Sequence, residues 1–188
     1  MEARQRPRRA TLLWRFQGRS EVQYWLATRS AGLRRRSKRV RAVVQRVGQA
    51  RVEVGGAVVG AIDRGLLVLL SVGQDDGPGD LLLMADKLSG LRIFADAAGK
   101  MNLDVRQIGG QILLVSQFTL HGDARRGKRP SFTAAMAPEP AAALVQQVAV
   151  ALQGLEIPVQ QGVFGADMQV HLVNDGPVTL LLDTKKLF

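Results

Sequence analysis

Apolar residues come along this chain in short β-branched runs and only twice fall into a helical period. VRAVVQRV (40–47), ARVEV (50–54) and AVVGAI (57–62) read as strands, and Gly55-Gly56 between the last two is a two-residue hairpin signal. LLVLLSVG (66–73) is apolar almost throughout, which predicts a central strand covered on both faces. After the polar loop QDDGPGD, Leu81, Met84, Leu88 and Leu91 recur at steps of three and four, predicting an amphipathic helix with Asp80 placed to cap it. ILLVSQFTL (112–120) predicts another buried strand, and HGDARRGKRPSF (121–132) a long polar loop. Pro138 opens a second helix, since proline suits a first helical turn. Ala141, Leu144, Val145, Val148 and Leu152 form its buried stripe, and Gly154 stops it. PVQQGVF, MQVHLV and VTLLL complete the strands, with NDGPVT (174–179) as turn chemistry between the last two. Strands and helices do not alternate regularly. The expected fold class is therefore α+β: a mixed, largely antiparallel sheet or open barrel with two main helices packed on it.

Charge divides the chain in two. The net charge of +10 suggests a nucleic-acid partner until it is located. Twelve of the 26 basic residues and two of the 16 acidic ones precede Val40, so the body at 40–188 is formally neutral. Residues 1–39 lack an apolar period and hold both tryptophans and the only tyrosine. They read as a basic non-globular extension: a mis-assigned start, an organelle transit peptide, a disordered tail or a basic arm for RNA. No apolar run is long enough for a secretory signal or a membrane span. The absence of cysteine removes disulfides, thiol nucleophiles and thiolate metal sites, and is compatible with a cytoplasmic setting. One domain is expected, at 40–188, large enough to bury a proper core.

Familiar catalytic arrangements are missing. There is no G-x-S-x-G elbow, no H-E-x-x-H and no Walker loop. His171 alternates with Val170 and Leu172 and belongs on the polar face of its strand. His121 lies in a loop, where exposure is the commoner fate of a lone histidine, so it is given no role. Asp75-Asp76 has no matching ligand cluster, so neither metal nor cofactor is expected. Polar residues collect instead at strand ends: Ser116, Gln117 and Thr119 in SQFTL, then KRPSF at 128–132. SQFTL reads either as a strand running out into a loop, with Phe118 in the core, or as part of a site. Arg125, Arg126, Lys128 and Arg129 form either a solvated loop or a holder of phosphates.

Taken together, QRV (45–47), RIF (92–94), GKMN (99–102), SQFTL (116–120), RPSF (129–132), ADMQV (166–170) and NDGPVT (174–179) stand in the order and spacing of the D-aminoacyl-tRNA deacylases. The resemblance covers essentially all of 40–188 and begins at Val40, where family members have their initiator methionine. It departs at HGDA (121–124). It implies a cytoplasmic, homodimeric hydrolase with a cross-subunit active site, cleaving the ester between a D-amino acid, or glycine, and tRNA. By the same resemblance Thr119 and the backbone around Gln117 and Phe118 face the scissile ester, with Thr119 either nucleophile or positioning group. Ser116, Phe132 and Met168 border the pocket. Gly176-Pro177 is expected to be a cis peptide reaching the partner's pocket and rejecting L-amino acids, and Arg125, Arg126, Lys128 and Arg129 are candidates for tRNA phosphates. Two alternatives compete: a non-enzymatic dimeric tRNA- or RNA-binding module, and an aminoacyl or peptidyl hydrolase indifferent to chirality. Residues 1–39 are expected to be dispensable, and a chain beginning at Val40 should keep cooperative unfolding and tRNA affinity. Loss of either, in thermal melts or filter binding, would show that the arm matters.

Overall fold

A computed structural model describes residues 40–184; the expectation about residues 1–39 lies outside the described residues. The organising element is β1 (Arg41–Val54), a single fourteen-residue strand where the sequence suggested two. One of its edges pairs antiparallel with β3 (Gly65–Ser71) and then, further along, with β2 (Ala57–Ile62). Gly55 and Gly56 make the β1–β2 turn, both at positive φ (57° and 82°), which is the hairpin conformation their sequence implied. The other edge of β1 pairs antiparallel with β8 (Gln169–Asp183). β3 continues the sheet in parallel with β6 (Gln111–Ser116), and β6 with β7 (Val159–Gln161). The sheet is thus mixed, as expected, with the antiparallel pairs built around β1. A small hairpin, β4 (Phe94–Ala95) and β5 (Met101–Leu103), stands apart.

Two helices cover one face. In α1 (Pro78–Ser89), Leu81, Met84, Ala85 and Leu88 are buried; Leu91 lies beyond the helix end. Asp80 caps from the third helical position and not from the boundary itself, its Oδ2 accepting the Gly77 N–H at 3.0 Å. In α2 (Pro138–Gln153) proline opens the first turn and Gly154 caps the end, as the pattern required. Against these helices pack Ala42 and Val44 of β1, and Leu66, Val68 and Leu70 of β3. The alternate residue Leu67 turns the other way into a second cluster with Val47, Ala50, Val52 and Leu113, over which Met168, just before β8, and Val170 and Leu172 of β8 close. That two-sided burial is why 66–71 is apolar without alternation.

Two expectations are corrected. The strand of SQFTL ends at Ser116, and Phe118–His121 is a turn of 3₁₀ helix, with Phe118 exposed and not in the core. NDGPVT does not separate two strands. It lies inside β8 as an excursion: Asn174 pairs with Val47 and Thr179 with Gln45, leaving 175–178 looped out opposite Arg46.

The parallel β3–β6 pair depends on a glycine at its start. A Cβ at Gly65 would lie 1.9 Å from the Gln111 carbonyl oxygen, inside backbone that cannot give way. Gly65→Ala should lower the melting temperature by about 10 °C, corresponding to about 3 kcal/mol. An unchanged thermal transition would contradict this pairing.

Candidate active site

At the carboxyl ends of β3 and β6 the sheet opens into a cavity of about 520 Å³. Its walls come from Leu70–Val72, from Val115–Phe118, from the start of α2 and from the 164–170 segment. Ser116, Gln117, Phe118, Phe132 and Met168, which are far apart in sequence, meet here. Phe118 and Phe132 stack edge to face with ring centres 5.2 Å apart, forming an aromatic wall. Met168 and Phe164 supply an adaptable apolar side, and the serine and glutamine supply polarity at the strand end. A larger hollow of about 740 Å³ between Arg51, Asp63 and His171 contains none of the residues that the sequence selected.

The 3₁₀ turn sets the chemistry of the rim. Thr119 is exposed and, unlike Gln117 and Phe118, is not part of the cavity lining; its Oγ1 accepts a hydrogen bond from Gln117 Nε2 at 2.5 Å. An amide N–H has no capacity to take up the threonine proton, so this contact orients the hydroxyl without activating it. His121 is not exposed as expected: it is 2 % accessible, with Nδ1 2.6 Å from Ser71 Oγ. His171, by contrast, is half-buried on the surface of β8 and 3.6 Å from Glu53, as its alternation implied. Glu53 titrates below the ordinary glutamate range, chiefly because Arg51 donates a hydrogen bond to it. Among the described residues no group of three or more His, Asp or Glu is arranged to hold a metal ion.

Gly176 and Pro177 do not join this cavity within one chain. The peptide between them is cis, and both residues are exposed on β8. The excursion that carries them is tied at its base by Asn174, whose Nδ2 donates to the carbonyls of Arg46 and Val178 at 2.9 and 3.0 Å. Arg46 adds the main constraint. Its Nε donates to the Asp175 carbonyl (3.2 Å) and pairs with the Asp175 carboxylate (3.0 Å), while Nη1 donates to the Ile93 carbonyl at 2.5 Å. The β4–β5 hairpin supports Ile93: Asp96 collects Ala98 N–H, Lys100 N–H and Asn102 Nδ2, and Arg92 reaches the Asn102 carbonyl. Asp96 titrates below its usual range for the same reason, the Asn102 hydrogen bond being the largest cause. QRV, RIF, GKMN and NDGPVT are therefore one connected scaffold. Sequence reading found the motifs and missed Arg46, because one arginine among many carries no signal of which carbonyls it will meet.

Arg125, Arg126, Lys128 and Arg129 lie on the exposed 122–132 loop. They are not equivalent. Arg125 makes two bonds to Asp123, at 2.8 and 2.5 Å, and holds that carboxyl well below the ordinary aspartate range.

A family model described as D-Tyr-tRNA(Tyr) deacylase matches residues 43–183. The chain belongs to the D-aminoacyl-tRNA deacylase family. A D-aminoacyl-tRNA deacylase of Anaeromyxobacter dehalogenans (strain 2CP-C) is 62% identical over 149 residues, 79% of this chain and 100% of that relative. One from Thermotoga petrophila is 58% identical over the same span. Among solved structures, a c-Myc DNA unwinding element binding protein superposes with a TM-score of 0.72 at 42% identity, covering 76% of this chain and 97% of that one. A chain described as a probable eukaryotic D-amino acid tRNA deacylase shares the fold, with a TM-score of 0.68 at 18% identity over 77% of this chain and 99% of that one. The protein is accordingly a D-aminoacyl-tRNA deacylase, a hydrolase of aminoacyl-tRNA esters. The non-enzymatic alternative is set aside.

The deacylase scaffold can be probed at Arg46. Arg46→Met removes the donors to Asp175 and Ile93 while keeping the aliphatic stem, and should cost about 2–4 kcal/mol of folding free energy. Urea denaturation measures it; a loss below about 0.5 kcal/mol would show that these bonds do not hold the excursion.

Proposed function

We propose that this deacylase selects D-aminoacyl and glycyl esters of tRNA by backbone groups, and that its catalytic unit is a homodimer acting in the cytoplasm in translation quality control. The observation that carries the reading is the composition of the site. The cavity offers the strand-end peptide groups and aromatic walls, and beside it stands a threonine hydroxyl held by the Gln117 amide, with no base on Thr119. An aminoacyl ester is already activated, so orienting it and stabilising the developing oxyanion is the main task left to the protein. A ribose hydroxyl next to the ester is available within the substrate. Thr119 and the backbone of Gln117 and Phe118 border the ester in this reading, and Phe132 and Met168 border the terminal adenosine or the aminoacyl group.

Handedness is assigned to Gly176 and Pro177 of a second copy. Their exposure on β8, outside their own chain's cavity, supports a role across an interface. So do Val173 and Leu181 on the same strand, each more than half exposed and apolar. Backbone carbonyls there would accept from the α-amino group, and the missing Cβ of Gly176 permits close approach. An L side chain would then meet backbone, whereas a D side chain would point to open space. Arg126, Lys128 and Arg129, with Arg125 partly neutralised by Asp123, are the groups proposed to meet tRNA phosphates.

A selector built from backbone reads handedness and little else. D-alanyl-, D-leucyl- and D-tyrosyl-tRNA should be hydrolysed within about tenfold of one another, glycyl-tRNA should be cleaved, and L-aminoacyl-tRNA should be spared by about 10³-fold or more. Equal hydrolysis of D and L esters would instead establish the chirality-indifferent hydrolase. In the same assay Thr119→Ala should cost no more than about 10²-fold in kcat, against 10⁴-fold or more for a lost nucleophile.

A further inference from the structure

Beneath the 117–121 turn lies a polar quartet drawn from three strands and the turn itself, buried but for the partly exposed Arg41. Arg41 of β1 faces Ser71 of β3 on one side and Asp183 of β8 on the other, in direct register. His121, at the end of the turn, completes the group. Ser71, His121 and Asp183 are 2 %, 2 % and 4 % accessible. Arg41 Nε pairs with Asp183 Oδ2 at 3.2 Å while its Nη1 donates to the Leu120 carbonyl at 2.7 Å. Ser71 Oγ lies 2.6 Å from His121 Nδ1 and 3.4 Å from the Phe118 carbonyl. In the tautomer that carries the proton on Nδ1, the imidazole donates to Ser71 and the serine proton is directed to the Phe118 carbonyl.

The four carbonyls from Gln117 to Leu120 are thereby occupied. Those of Gln117 and Thr119 accept from Leu120 N–H (3.1 Å) and Gly122 N–H (2.9 Å), and those of Phe118 and Leu120 accept from the quartet. A peptide's carbonyl and its following N–H point in opposite directions, so fixing the Phe118 carbonyl inward turns the Thr119 N–H outward. At the start of the turn, the Phe118 and Thr119 N–H groups have no carbonyl to meet within it. Buried polar side chains carry a desolvation cost that apolar residues of similar size would avoid, and here they are spent on the orientation of one turn.

We propose that Ser71 and His121 are positioning residues of the deacylase, which act through the Phe118 carbonyl to aim the peptide groups that meet the ester, on a base supplied by Arg41 and Asp183. The proposal rests on the reading that the backbone at 117–119 borders the ester. It concerns geometry and not proton transfer, since His121 Nδ1 is engaged with Ser71 and the residue is not part of the cavity lining.

The test is steady-state hydrolysis of D-aminoacyl-tRNA by the full chain and its variants. Ser71→Ala and His121→Leu should each lower kcat by about tenfold with KM within about twofold of the parent, because a misaimed group weakens the transition state more than binding. Ser71→Thr, which keeps the hydroxyl, and His121→Asn, whose Nδ2 replaces Nδ1, should recover most of that loss. A merely structural role would lower thermal stability and leave kcat intact, or would not be rescued by the conservative pair. Parental kcat in folded Ser71→Ala and His121→Leu overturns the proposal, as does a loss confined to KM. If both variants fail to fold, Ser71→Cys, similar in size with a weak donor, decides by the same criterion. Thr119→Ala, run alongside, separates the two ideas: its collapse to a nucleophile-sized loss refutes the backbone reading, whereas its expected behaviour with inert Ser71 and His121 variants refutes only this inference.

Discussion

β1 is hydrogen-bonded along both edges, and the site exists because of that. A strand held on one side by β3 and β2 and on the other by β8 cannot shift register without turning its apolar residues to the wrong face. Its faces also exchange along its length. Ala42 and Val44 point to the helices and Val47 to the second core by ordinary alternation, but Ala50 and Val52 also point to the second core, and that change falls at the irregularity between Val47 and Gln49, next to the place where β8 loops out opposite Arg46. The excursion that carries Gly176 and Pro177 is thus a local break in pairing that the rest of the strand holds in place.

The same strand carries both arginines that organise functional backbone. Arg41 reaches the Leu120 carbonyl beside the cavity, and Arg46 reaches Asp175 in the excursion and Ile93 at the small hairpin. Each guanidinium offers several donors in a rigid fork, so a single side chain can tie together segments distant in sequence. In the proposed site, side chains mostly aim peptide groups, and those peptide groups are the ones that meet the ester. This suits a substrate whose bond is already reactive, for which orientation and stabilisation of charge are the contributions that count.

Much of the fold could be read directly from apolar pattern and punctuation. The Gly55-Gly56 hairpin, the two-sided burial of 66–71, and the Pro138 start and Gly154 stop of α2 follow from local chemistry, and the structure repeats them. Five of the residues that line the cavity were also nameable, because Ser116, Gln117, Phe118, Phe132 and Met168 fall within motifs of a recognisable family, whereas Phe164 and Met136 were not. What failed were readings that local pattern leaves open. A serine-glutamine strand end can continue or coil into a 3₁₀ turn, and an Asn-Asp-Gly-Pro stretch can end a strand or loop out of one.

The sequence by itself determined the segment types, the α+β class and the family, since these depend on spacing along the chain. Tertiary structure alone decided that His121 is buried against Ser71, that Arg41 and Asp183 sit level with it, and that Arg46 faces a break in β8. Those facts depend on contacts between segments distant in sequence, 50 residues between Ser71 and His121 and 142 between Arg41 and Asp183. A lone histidine or arginine has the same local sequence signal whether it ends in solvent or under a turn; only the packed sheet determines which carbonyl lies within its reach.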